Sequence, residues 1–290
     1  MSDRMKGVIA MVALAFIFAC MGAFARYLQF DFSLLQQTYL RIGVAFLIAC
    51  LFFSADSSVH KYIRVPPLDW LVLTFRAVCL YLAVLLVSAA YIKGNYSNVS
   101  FVSALPLLPL FGYFLFNERL TKQIIAMVLV GFVGVTLIAV KDWSDIFSFG
   151  LAELYALTSI IFFDLSYVSR RWHSEHLTNR ETATVIFGIG ALLMFIVSLA
   201  IGEGMPDPLA FSPPIIGVIL IAALFNVANL ILTNYGFSKL SITLAGTILT
   251  LETVFALLIS IFVYAEFPSF IELVGSAFVL FAVYRMNQIT

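Results

Sequence analysis

Apolar residues along this chain fall in long unbroken runs, not in the alternation of a half-buried strand or the one-sided stripe of a surface helix. Between short polar breaks the runs cover 7–25, 34–54, 68–91, 97–116, 122–140, 150–169, 181–201, 213–236, 242–263 and 269–286. About twenty apolar residues wound as a helix span the hydrocarbon core of a bilayer. A helix is suited to that environment because it satisfies every backbone N–H and C=O within the segment. The pattern therefore predicts an all-α integral membrane protein of ten transmembrane helices. The longest polar stretches, 55–68, 170–180 and 202–214, are too short for a soluble domain, so one membrane domain is expected. The first run follows Met1 to Lys6 as a signal sequence would, but it is too long and lacks a small-residue cleavage site. It is predicted to be a retained first helix.

Composition sharpens this picture mainly by exclusion. Hydrophobic residues make up 62% of the 290 positions and charged residues 11%, against about a quarter charged in an ordinary soluble domain. Formal net charge is zero and no basic block occurs, which excludes nucleic acid as a partner. Cys20, Cys50 and Cys79 lie in apolar runs without metal-ligand spacing and read as small packing residues. His173 and His176 have a spacing that metal sites use, but beside Arg170 and Arg171 they read as loop residues; no metal is expected. No phosphate-binding glycine loop, nucleotide fingerprint or nucleophile elbow is present, which disfavours an ATP-driven pump and leaves no cofactor implied.

The few charges are placed unevenly. With the N-terminus in the cytoplasm, Arg4, Lys6, Lys61, Arg64, Arg119, Lys122, Arg170, Arg171, Arg180, Lys239 and Arg285 fall on the inner side, and only Arg26, Lys93 and Lys141 on the outer. Cationic residues are retained on the cytoplasmic side, so both termini are predicted there. The two halves also resemble each other. Laying Glu118 on Glu266 lays Phe114 on Phe262 and Val135 on Val283, each Glu following a helix and preceding another. Repeats covering 1–145 and 146–290, each with an odd number of helices, enter the membrane in opposite directions. Inverted repeats of this kind exchange two mirror-related conformations around a midplane site.

The residues at the repeat junctions carry a resemblance. Leu105-Pro106-Leu107-Leu108-Pro109, then Phe116-Asn117-Glu118-Arg119-Leu120-Thr121, Gly131 and Gly134 are echoed by Leu251-Glu252-Thr253-Val254-Phe255-Ala256, Glu266 and Gly275. With Tyr39-Leu40-Arg41 in the second helix, the chain resembles the EamA-like branch of the drug/metabolite transporter superfamily. That resemblance implies two inverted five-helix repeats, a cavity lined chiefly by helices three, four, eight and nine, and peripheral helices five and ten. It also implies secondary transport of a small organic metabolite, coupled to a proton or a counter-solute, in a cell inner membrane, by a monomer or weak dimer. Export of amino acids or related compounds is the family's broad theme. Phe163-Asp164-Leu165 followed by Arg170-Arg171 is similar to the sixth helix of the superfamily's S-adenosylmethionine carriers, which makes import of that or a similar nucleoside-containing metabolite the alternative. Thr253 stands where the family usually has proline, so a weaker kink in helix nine is expected.

Ionisable side chains inside membrane helices are costly and mark functional sites by default. Four stand out: Arg41, Arg76, Asp164 and Glu252. Counting depth at 1.5 Å per residue favours an Arg76–Asp164 pair. Such a pair serves transport or fixes the packing, and both readings stay open. Arg41 can snorkel to headgroups or cap carbonyls, a structural or gating role. Glu118 and Glu266 are read as caps for the helices that follow them. Asn226, Asn229 and Thr233 form a polar stripe on helix eight; Thr243, Thr247 and Thr250 form one on helix nine. Tyr81 and Ser88 share a face of helix three, and Ser97 and Ser100 one of helix four. Such stripes face protein or water, as a solute site or as interhelical glue. On a regular helix Glu252 points away from Thr243, so either the helix bends near Thr253 or one of the two packs against a neighbour. The expected solute-binding set is Arg76, Tyr81, Ser88, Ser100, Asp164, Asn226, Asn229, Thr233, Thr247 and Glu252. Rival readings are a lipid-acting membrane enzyme, against which stands the lack of intramembrane histidine and of paired acids at ligand spacing, and a non-transporting scaffold.

Overall fold

The computed structural model describes residues 2–53, 59–94, 96–140, 150–172, 176–265 and 267–289. Among the described residues, ten helices are long and apolar enough to cross a membrane. They are α1 (Asp3–Leu28), α2 (Leu34–Phe53), α3 (Pro67–Lys93), α4 (Tyr96–Ser103 and Leu107–Phe116), α5 (Lys122–Ala139), α6 (Leu151–Val168), α7 (Asn179–Ala200), α8 (Pro213–Lys239), α9 (Ile242–Leu249 and Leu251–Tyr264) and α10 (Phe270–Ile289). Their starts follow local chemistry. Hydroxyls of Ser2, Thr121, Thr178 and Ser241 accept the first orphan N–H groups of α1, α5, α7 and α9. Prolines open α3 and α8, where their missing N–H costs nothing. Arg4 of α1 donates to the Asn287 carbonyl (2.5 Å) and side chain (3.0 Å), which puts both termini on one face of the bundle, here called the terminal face.

Two of these spans are broken. In α4 the helix stops at Ala104 and restarts at Leu107, because Pro106 and Pro109 have no N–H to give the ladder. In α9 the break falls at Thr250, without proline. There the N–H groups of Thr250 and Thr253 bond the carbonyls three residues back, and their hydroxyls bond the same carbonyls at 2.6 and 2.8 Å. Threonine hydroxyls compete with the helix ladder in this way. Side-chain oxygens thus interrupt the ladder near Thr253, where the family usually has proline. Beyond each break the helix ends on a left-handed residue, Asn117 (φ 53°) in the first copy and Ala265 (φ 54°) in the second. These are the only non-glycine residues with positive φ among those described, and they occupy equivalent repeat positions.

The repeats are interleaved, not set side by side. The main contacts join α3 to α6, α5 to α10, α2 to α7, α1 to α8, α8 to α2 and α1 to α9. Exchanging the repeats turns the α3–α6 contact into the α8–α1 contact and maps α2–α7 and α5–α10 onto themselves, as a pseudo-two-fold axis requires. In the α5–α10 pair the backbones touch: a Cβ on Gly134 would lie 2.7 Å from the Gly275 carbonyl oxygen, and one on Gly275 would lie 2.6 Å from that of Gly134. Only glycine allows that approach.

Candidate functional site

A cavity of about 500 Å³ lies in the half of the bundle away from the terminal face. Gly22 and Ala25 of α1, Leu34 and Thr38 of α2, and Ser88 and Tyr91 of α3 line its distal part; Arg76, Ser166, Tyr167 and Thr233 form its floor. Asn226 and Asn229 of α8, Phe187 of α7 and Glu252 of α9 complete the walls. The lining set expected from the resemblance is corrected here: α1, α2, α6 and α7 contribute, and among the described residues α4 does not. Rings from Phe18, Tyr81, Phe163, Tyr167 and Phe187 give the cavity an aromatic body.

Arg41 belongs to this cavity and does not snorkel to headgroups. It is 9% exposed, its Nε donates to the Gln37 carbonyl (3.1 Å), and among the described residues no carboxylate pairs with it. It lies about 10 Å along α2 from the distal end, whereas Glu252 lies about 18 Å along α9 from the same side. Glu252 is deep in the bundle, yet its side chain is open to the cavity. The cavity thus carries a cationic group nearer its mouth and a carboxylate deeper in.

Arg76, 1% exposed, builds the floor. Its Nε donates to the Ser166 carbonyl (3.1 Å) and its Nη2 to the Asn234 side-chain oxygen (2.8 Å); the Ser166 hydroxyl returns a bond to the Arg76 carbonyl (3.0 Å). Asn234 in turn donates to the Asn179 carbonyl (3.2 Å), so four helices meet there. The Arg76–Asp164 pair does not form. Depth is satisfied but azimuth is not: residues 164 and 166 lie about 200° apart around α6, and it is Ser166 that faces Arg76. Asp164 is buried outside the cavity, and among the described residues its Oδ2 has no hydrogen-bond partner.

Three more placements differ from expectation. Thr247 is buried and spends its hydroxyl on the Thr243 carbonyl (2.9 Å). Ser100 lies behind Tyr91, whose hydroxyl is 3.4 Å from its own, and lines a separate chamber. Glu118 does not cap α5, the helix that follows it. Its Oε1 accepts from the Ile242 N–H (2.7 Å), and its Oε2 accepts from the Thr243 N–H (3.1 Å) and hydroxyl (2.9 Å), so it caps α9 in the other repeat. The left-handed turn at Asn117 brings Glu118 under that helix, and Gly112 leaves the room, since a Cβ there would fall 2.8 Å from the carboxylate. Arg171 completes the arrangement: it pairs with Glu118 (3.2 Å) and donates to the Leu240 carbonyl (2.6 Å) at the C-terminus of α8. An anion at one helix start and a cation at a neighbouring helix end both suit the helix dipoles. With the Lys61–Glu181 pair (2.6 Å), these links tie helix ends together at the terminal face beneath the cavity. Glu266 and His173 lie outside the described residues, and no cluster of three potential metal ligands occurs among those described.

Sequence reasoning passed over Tyr91, Tyr167, Thr38 and Gly112, and it named Arg171 without its partners. Tyr91 was accessible to it, because Tyr81, Val84, Ser88 and Tyr91 continue one stripe of α3. The partners of Arg171 were not, because they are far away in the chain.

The comparisons with known proteins fit this architecture. The EamA-like transporter family profile matches residues 5–140 and again 150–288. The chain belongs to the EamA-like transporter family. As an EamA-like transporter it is a multi-pass membrane protein that moves small molecules across the bilayer. A protein of known crystal structure shares the fold, with a TM-score of 0.79 over 98% of this chain and 98% of its own, at 15% identity. No curated protein matches the sequence.

Proposed function

We propose that this EamA-like transporter is a secondary active carrier of a small zwitterionic metabolite, an amino acid or a related compound, with export as its favoured direction. The observation that carries the substrate class is the pairing of opposite charges on one aromatic-walled cavity: Arg41 meets a carboxylate and Glu252 an ammonium. Asn226, Asn229, Ser88 and Thr233 supply neutral hydrogen bonds between them. The lysine and arginine distribution supports an inner-membrane orientation with both termini in the cytoplasm. The state described is then open to the outside and closed to the cytoplasm by the Glu118–Arg171 cluster. In the opposite state the cluster parts and the distal half closes. Interleaving of the repeats argues against one sequence half rocking as a unit on the other, since that would break most of the interhelical contacts. The S-adenosylmethionine alternative loses part of its support, because Asp164 is turned away from the cavity.

A thermal-shift screen of the purified protein against amino acids, polyamines, nucleosides, S-adenosylmethionine and cationic drugs tests this reading, since a ligand of the folded state raises the melting temperature by mass action. Stabilisation by amino acids that is lost in both Arg41→Gln and Glu252→Gln is expected. Stabilisation by polyamines that persists in Arg41→Gln would sink the zwitterion assignment, and reconstituted flux of the stabilising compound then fixes direction.

A further inference from the structure

A second chamber of about 370 Å³ lies beside the solute cavity, among α4, α5, α9 and α10. Its lining includes Tyr91, Ser100, Thr253 and Ser260; its distal end is framed by Phe267, Pro268 and Glu272. Glu272 lies at the start of α10, where its carboxylate accepts from the Ser269 N–H (2.6 Å). From Ser260 the chamber runs inward past Ala256 to Glu252, about 12 Å along α9. Two residues, Tyr91 and Glu252, line both this chamber and the main cavity. An intramembrane carboxylate that opens on two cavities has two routes to water, one of which does not pass through the solute site.

We propose that the second chamber is a proton-access branch, bringing protons from the distal surface to the Glu252 carboxylate while the main cavity is occupied. The step is a simple protonation: hydronium in the branch gives its proton to a Glu252 oxygen and leaves as water, and the reverse transfer releases the proton when the carrier changes state. The titratable groups that share the two linings with Glu252 are Arg41 from α2, Arg76, Tyr81 and Tyr91 from α3, Tyr167 from α6 and Glu272 from α10; among the described residues α1, α4, α5, α7 and α8 present none there. Neutralising Glu252 weakens its attraction for an ammonium group, so proton and solute compete there, which is the condition for exchanging one for the other. This use of the branch rests on the transporter reading; the access route is tested without transport.

The test is labelling of Glu252 in the full-length purified protein with a water-soluble carbodiimide and glycine ethyl ester, read by mass spectrometry. Gly22→Trp fills the main cavity, where a Cβ on Gly22 meets no atom within 4 Å; Ala256→Trp fills the branch. Labelling should persist in Gly22→Trp, weaken as pH rises, and disappear when Ala256→Trp is added. Ser260→Phe, nearer the mouth, replaces Ala256→Trp if that variant does not fold. Loss of labelling in Gly22→Trp alone would show that Glu252 is reached only through the main cavity and would overturn the branch, as would labelling that survives in the double variant. Neither result depends on solute flux.

Discussion

The two ends of this bundle are built from the same kinds of helix and are held in different ways. At the terminal face, polar groups are spent on one another: Glu118 on the start of α9, Arg171 on the end of α8, Arg76 on Ser166 and Asn234, Lys61 on Glu181. In the distal half, the charged groups Arg41 and Glu252 face an open volume. A charge costs about as much to bury at either end, so the difference lies in what neutralises it. Where protein groups do, the end is shut. Where they do not, a solute or water has to.

The sharpest way to break this contrast is Glu118→Ala. It uncaps two backbone N–H groups and leaves Arg171 without its carboxylate, and loss of one member of a largely buried pair costs about 3 kcal/mol. A lowered midpoint in detergent unfolding is expected, together with reaction of a Thr233→Cys probe from the terminal side in a cysteine-free background. Arg171→Met should do the same more weakly, by about 1–2 kcal/mol, because Glu118 keeps its backbone donors. Thr253→Pro sharpens the comparison of the two broken helices. The N–H lost already bonds three residues back, so the cost should stay under about 1 kcal/mol, against about 3 kcal/mol for proline inside a regular helix. The smallest effect belongs to Asp164→Asn, which should leave the solute-induced thermal shift unchanged; a lost shift would put Asp164 back at the solute site.

Most of the fold was legible in the sequence, because hydrophobic runs report membrane spans directly and the inverted repeat shows in a few paired positions such as Glu118 and Glu266. For α9 a bend near Thr253 was one of two open options, because proline is the visible signal for a kink and Thr250 and Thr253 interrupt the ladder with side-chain oxygens. For the site, depth was readable and direction was not. Arg76 and Asp164 match in depth, yet two positions along α6 decide that Ser166 is the partner. Asn226, Asn229 and Thr233 were readable because a stripe on a continuous helix keeps its direction. The cross-repeat cap was hidden for another reason: Glu118 is an ordinary helix-start residue for α5 by position, and only the folded chain brings α9 closer.

The interleaving of the repeats also bears on how the protein is made. When the ribosome has delivered α1 to α5, the helices that will cover them do not yet exist: α1 waits for α8 and α9, α2 for α7 and α8, α3 for α6, and α5 for α10. The nascent first half therefore sits in the bilayer with Arg41 and Arg76 lacking their final surroundings until the second half arrives. A chain cut short in the second repeat accordingly leaves the first without most of its packing partners.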